Sequence, residues 1–168
     1  VKKCIYNLLF LFVIAPAWGQ SSTFTLQMES SVQNSALTLD VFITKASGPD
    51  FALGTSNFDI QLKSAHLDIS KASFQPGEFD AATSPDSYGP MGEGSSDLLV
   101  MNVNVNVKGT GNGTLVTTSK KKIGSISIPI LDPCARVAPK WSKTGAINSF
   151  FKTAFGPDIT SFALYLDP

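Results

Sequence analysis

Leu99, Met101, Val103, Val105 and Val107 share one parity of the chain, and Asn102, Asn104, Asn106 and Lys108 share the other. Successive side chains of an extended strand leave on opposite sides, so a period of two implies one buried face and one wet face. The same rhythm recurs along the chain. Phe24, Leu26 and Met28 alternate with Thr23, Thr25 and Gln27, and Leu37, Leu39, Val41 and Ile43 alternate with Thr38, Asp40, Phe42 and Thr44. Phe58, Ile60 and Leu62 alternate with Asn57, Asp59, Gln61 and Lys63. Ile126, Ile128 and Ile130 continue the theme, as do Phe162, Leu164 and Leu166. With a short strand at Leu67 and Ile69, the pattern predicts about seven strands.

The segments between them carry Gly, Pro, Ser, Asn and Asp, as in Ser47-Gly48-Pro49-Asp50 and Gly109-Thr110-Gly111-Asn112-Gly113. Glycine tolerates positive φ, proline fixes φ, and Asn or Asp bonds its own backbone, so these are turn chemistries. An all-β fold of two packed antiparallel sheets follows. Pro129 inside its strand predicts an edge, or an amide facing solvent. Two regions break the rhythm. From Phe74 to Ser96 a long surface excursion is expected, anchored by Phe79, Tyr88 and Met91. From Lys143 to Phe155 the spacing of Ile147, Phe150, Phe151 and Phe155 allows one or two helical turns, limited by Gly145 and Gly156.

The amino terminus reads as an address. Lys2 and Lys3 precede an apolar run from Ile5 through Ala15, and Pro16-Ala17-Trp18-Gly19 leads into polar Gln20-Ser21-Ser22. A basic start, a short apolar centre and small residues at a cleavage site make a secretory signal over positions 1–19. The apolar centre is shorter than the roughly 20 residues a membrane-spanning helix needs. Cleavage after Gly19 is expected, leaving positions 20–168 as one domain with no transmembrane segment, secreted or on the cell surface, or else periplasmic.

Thirteen Lys and Arg balance thirteen Asp and Glu, so losing Lys2 and Lys3 with the signal leaves a net charge of −2. So weak a field argues against nucleic acid and against electrostatic attachment to acidic lipid. The one basic cluster, Lys120-Lys121-Lys122, reads as a solvated turn or a charged guard beside an aggregation-prone strand. Cys4 departs with the signal, and it precedes the apolar run where a lipoprotein cysteine would follow it. Cys134 then stands alone, which excludes an intrachain disulfide and places the burden of stability on the core.

Catalytic chemistry needs converging reactive groups. His66 is the only histidine, so multi-histidine metal sites are excluded, and one thiol is too few for zinc. Cys134, in Leu131-Asp132-Pro133-Cys134-Ala135-Arg136, has no histidine near it in sequence and reads as a buried or incidental thiol. The glycine run 109–113 joins two strands without opening a helix, so it reads as a hairpin loop and not a phosphate cradle. Glu78 with Asp80, and Glu93 with Asp97, are the nearest carboxylate pairs, and both lie in loops where solvated acids are the rule. No catalytic residue, cofactor or metal ligand is assigned. Calcium is the one cation the composition leaves open, through Asp50, Asn57 and Asp59 at a sandwich end. Sugar stacking would need exposed aromatics, for which Phe42, Tyr88, Trp141 and Tyr165 are the candidates; Phe42 and Tyr165 fall on nominally outer faces. Asn112-Gly113-Thr114 matches the N-glycosylation acceptor pattern, which by itself assigns no function.

The run Leu39-Asp40-Val41-Phe42-Ile43, followed by Gly48-Pro49-Asp50-Phe51-Ala52-Leu53-Gly54-Thr55-Ser56-Asn57-Phe58, resembles the amino-terminal domain of large secreted proteins of the Bacteroidetes. The asparagine-rich strand, the glycine loop, Ile123-Gly124-Ser125-Ile126 and Trp141 follow in the same order, so the likeness spans most of Phe24 to Trp141. Such domains are similar to cohesins and carbohydrate-binding modules. The resemblance implies a jelly-roll-like sandwich of up to nine strands, Trp141 in its core, and export by the type IX route. The chain lacks a recognisable carboxy-terminal sorting domain, so a truncated or free-standing version is expected. Two functions follow as expectations. One is a noncatalytic scaffold or attachment module for an extracellular or envelope protein; the other is a lectin-like module that binds polysaccharide.

Overall fold

A computed structural model of the protein describes residues 22–62, 64–79, 86–88, 92–95, 98–105, 114–134, 136–142, 161 and 163–168. The signal segment, residues 80–85, 89–91 and 96 of the 74–96 excursion, the 109–113 glycine loop and the 143–155 helical expectation lie outside the described residues. Within them run twelve strand segments. They are β1 (Thr23–Gln33), β2 (Ala36–Ser47), β3 (Phe51–Ala52), β4 (Ser56–Gln61), β5 (Ser73–Pro76) and β6 (Asp86–Tyr88), then β7 (Gly92–Ser95), β8 (Leu98–Val105), β9 (Leu115–Val116), β10 (Lys121–Pro129), β11 (Lys140–Trp141) and β12 (Ala163–Leu166). The count exceeds the expected seven to nine because several are two- to four-residue ladders. The expected strand at Leu67 and Ile69 does not form: Leu67 falls between two 3₁₀ turns and makes only an isolated bridge to Ile130, and Ile69 opens the second turn, Ile69–Lys71.

One sheet has the order β12-β1-β2-β10-β5; the other has β11-β4-β8-β6, with β7 also on β8. β3 and β9 form a separate two-stranded ladder. The pairings are antiparallel except that β12 runs parallel to β1. That exception departs from the expected wholly antiparallel sandwich. β12 follows β11 of the other sheet in chain order, so no tight hairpin joins it to β1 and antiparallel pairing is not imposed.

The core is the apolar parity of both sheets. Phe24, Leu26 and Met28 of β1, Leu37, Leu39, Val41 and Ile43 of β2, and Ile126 and Ile128 of β10 face Phe58 and Ile60 of β4, Leu99 of β8 and Trp141 of β11. At roughly 1.5–3 kcal/mol for each large apolar side chain buried, this set supplies the main stabilising term. Phe79 is fully buried, as expected of an anchor for the Phe74–Ser96 excursion, but that stretch is not only a surface connection: β5, β6 and β7 fall in it and pair with β10 and β8.

Two strand expectations change. β10 is interior, flanked by β2 and β5, so Pro129 does not mark an edge. Its ladder with β5 stops at Ser127; beyond it the Leu67 bridge lies alongside, where the Asp68 amide donates to the Pro129 carbonyl at 2.9 Å, so Pro129 contributes the acceptor that proline retains. In β12 the parity is reversed. The ladder sets Phe24 opposite Ala163 and Leu26 opposite Tyr165, so Ala163 and Tyr165 pack on the core while Leu164 and Leu166 are 53% and 51% exposed. A one-residue change of register swaps every side chain between faces, and strand periodicity alone does not say which parity faces inward.

Candidate functional site

The outer face of the first sheet gathers the charged and aromatic groups singled out in the sequence. β10 pairs with β2 through a bulge: Lys122 lies opposite Phe42, Gly124 opposite Val41 and Ser125 opposite Asp40. The extra residue is Ile123, which is fully buried. Residues three apart on a regular strand point to opposite faces, so only the bulge brings both Lys122 and Ser125 to the outer face. Both then converge on Asp40, Lys122 Nζ at 2.8 Å and Ser125 Oγ donating at 2.6 Å. Burial pushes the Asp40 carboxyl up, but these hydrogen bonds and the Lys122 and Lys120 charges outweigh it and hold the group below the usual carboxylate range.

The lysine triplet divides its work among three acids. Lys120 pairs with Glu29 of β1 and lies over the Phe42 ring, 3.9 Å from its centroid. Lys121 reaches Glu78 at 3.1 Å, and the Lys122 backbone amide donates to the same carboxylate at 2.8 Å. Glu78 is pushed up by partial burial and pulled further down by these two donors. The expected solvated turn is therefore a set of ties holding β1, β2 and the segment after β5 against β10. Glu78 serves that purpose; Asp80, Glu93 and Asp97 have no described side chains.

The aromatic candidates separate. Phe42 is half-buried on the outer face beneath Lys120, as its parity indicated. Trp141 is buried, 5.8 Å from the Tyr165 ring between centroids. Tyr165 is thus an inward residue, and its expected outer position is wrong for the register reason given above. Tyr88 lies in β6 opposite Val103, and its side chain is outside the described residues.

The calcium candidates are dispersed in role. Asp50 is exposed and bonded to Lys45 at 2.5 Å. Asn57 is half-buried on β4, while Asp59, two residues on and on the same side of the strand, is fully buried. Burial alone pushes the Asp59 carboxyl up to about 6. Among the described residues, no three His, Cys, Asp or Glu side chains group as metal ligands.

Cys134 is exposed, not buried. Its amide donates to Asp132 Oδ1 at 3.0 Å, and His66 Nδ1 lies 3.7 Å from Asp132 Oδ2. The sole histidine therefore comes to the cysteine turn through tertiary structure, brought there by the bond from the Leu131 amide to the His66 carbonyl at 2.8 Å. Its separation from Cys134 in the chain conceals that proximity.

No family model and no curated protein matches the chain. Solved structures do. The sixth cohesin of scaffoldin B from Acetivibrio cellulolyticus, in complex with a Cel5 dockerin, aligns at TM-score 0.60 and 13% identity over 86% of this chain and 95% of that one. The third cohesin of ScaC from the same organism, in complex with the ScaB dockerin, aligns at TM-score 0.61 and 12% identity over 86% and 94%. A type II cohesin of Bacteroides cellulosolvens aligns at TM-score 0.60 and 10% identity over 86% and 96%. The fold is a cohesin-like β-sandwich.

Proposed function

We propose that the chain is a noncatalytic protein-binding module, exported to the cell surface or medium and serving as a scaffold or attachment domain. The observation that carries this reading is the whole-domain likeness to cohesin modules, two of which are seen bound to dockerins. Fold similarity is support by analogy, and function resides in sites grafted on a fold. The apolar run at positions 5–15 behind two lysines supports export. The polar, charge-balanced outer face of the first sheet, with Leu164 and Leu166 exposed at its edge, suits a protein surface better than a polyanion.

The test is affinity capture on the immobilised purified protein from envelope and medium fractions, with calcium and salt varied, followed by titration of each captured protein. Saturable one-to-one binding to one protein supports the reading; no saturable partner under any condition counts against it. The alternative is carbohydrate binding, and its specific support is Phe42 amid polar groups. Lys120 already covers one face of that ring, and Trp141 packs on Tyr165. A glycan array covering plant, algal and bacterial polysaccharides decides it, with a Phe42→Ala control.

A further inference from the structure

β1 outruns its neighbour. β12 pairs with it only as far as Gln27, opposite Leu166, whereas β2 pairs with it to Gln33. On the side away from β2, no strand among the described residues pairs with β1 beyond Gln27. Every residue from 29 to 35 is exposed, Val32 to 65%. The hairpin turn is Asn34-Ser35, two residues with positive φ (50° and 59°). In a two-residue hairpin the closing pair, here Gln33 and Ala36, exchanges its hydrogen bonds across the ladder. Alternate residues follow suit, so Ser31 and Glu29 also spend their backbone groups on β2. The amides and carbonyls of Ser30 and Val32 then point to the open side.

Open strand edges template further pairing, and proteins usually blunt them with lysine, proline or a bulge. Residues 29–33 have none of these. Their one charged side chain, Glu29, is already neutralised by Lys120. Beside this edge lies a shallow groove of about 520 Å³, walled by residues 27–30 and by residues 166–168.

We propose that two copies of the chain associate about a twofold axis by antiparallel pairing of the exposed end of β1, residues 29–33, with Ser31 facing its own counterpart. In that register Ser30 meets the second copy's Val32 and exchanges both backbone bonds with it, and the twofold repeats the pair. Glu29 meets the second copy's Gln33, so an amide donor faces a carboxylate and no like charges oppose. Continuing the register brings the second copy's Asn34 beside Met28, at the mouth of the groove, and the pairing stops there because Leu166 already lies opposite Gln27. The edge, its hydrogen-bond phase and the groove at its end thus accept the same occupant. The pairing is isologous and closes at two copies. A five-residue ladder is at the small end of specific interfaces, so the dimer is transient. The inference does not depend on the proposed function.

Sedimentation equilibrium of the purified protein over about 10 μM to 1 mM, the range in which a small interface titrates, is expected to show a monomer–dimer equilibrium. Ser31→Lys sets two like charges directly opposite and moves the midpoint up by about tenfold or more. Ser31 is a non-hydrogen-bonded position across the twofold, where Cα atoms lie about 4.5 Å apart, within disulfide range. In a Cys134→Ser background, Ser31→Cys therefore forms a covalent dimer on mild oxidation, whereas Ser70→Cys, also at an exposed position, does so slowly. Thermal melts verify that each variant is folded. A wild-type protein that stays monomeric throughout, association unmoved by Ser31→Lys, open-ended polymer, or Ser31→Cys cross-linking no faster than Ser70→Cys would each overturn the proposal.

Discussion

The indole N–H of Trp141 donates to the carbonyl of Leu166 at 3.0 Å, joining β11 of one sheet to β12 of the other. The Trp141 backbone amide adds a bond to Asp167 Oδ1 at 2.8 Å, and the Tyr165 ring packs beside the indole. This corner holds β12 on the sandwich. Trp141→Phe retains the packing and loses one bond, an expected cost of about 1–2 kcal/mol. Trp141→Ala loses both, at about 3–5 kcal/mol. Urea unfolding of the two variants measures the difference, and a Trp141→Phe variant as stable as the wild type would show that the bond contributes nothing.

Asp59 makes stability fall as pH rises. Its folded carboxyl titrates at about 6 because of burial, against an ordinary value of 3.8, so the folded state holds its proton more tightly. Below about pH 4 both states are protonated and there is no penalty. Between pH 4 and 6 the penalty grows, reaching a plateau of roughly 3 kcal/mol. Asp40 and Glu78, held below their ordinary values, act in the opposite sense and lose their contribution as pH falls through the acid range. The comparison with Asp59→Asn separates these effects. That variant should be the more stable at pH 8, and its advantage should vanish near pH 4. A constant difference in urea midpoint across that range would rule out titration of Asp59.

Two glycines are required by close approach. A Cβ at Gly77 would stand 2.2 Å from the Lys122 carbonyl oxygen, a backbone atom in the bulged part of β10. One at Gly124 would stand 2.5 Å from the Phe74 ring, which can turn, and 2.9 Å from the Gln75 carbonyl oxygen. Gly77→Ala should therefore cost more than Gly124→Ala, with both in the range of about 1–3 kcal/mol. Thermal denaturation ranks them, and the reverse order would show that the backbone at Lys122 yields more readily than the ring.

Ser35 occupies the left-handed region that glycine adopts freely. Ser35→Gly relieves that conformation and retains the carbonyl that accepts the Ile130 amide at 2.8 Å. A gain of about 0.5–1 kcal/mol is expected. A destabilised variant in chemical denaturation would contradict it.

Lys120 should tie β1 to the Phe42 face through two partners at once. Lys120→Met keeps a flexible stem over the ring but removes the cation–π contact and the Glu29 pair. Exposed interactions of each kind are worth about 0.5–1 kcal/mol, and the ion pair is screened by salt. The difference between wild type and variant should therefore shrink as ionic strength rises. A gap that does not change with salt would place the effect in packing alone.

Local alternation identified most of the core. Phe24, Leu26, Leu39, Val41, Phe58, Ile60, Ile126 and Ile128 are all buried, because backbone sterics send alternate side chains to opposite sides whatever the partner strand. The signal-like start and the balanced charge are likewise properties of composition in order. Tertiary pairing alone decided that Leu164 and Leu166 face outward and Tyr165 inward, since ladder register selects the face. It decided that Lys122 and Ser125 share Asp40, through a bulge that no residue pattern announced. It placed His66 beside Asp132 and buried Asp59 on the nominally wet side of β4. Each of these depends on which distant segment lies alongside, and that choice is settled by burial summed over the whole sandwich, beyond the reach of any neighbouring residues.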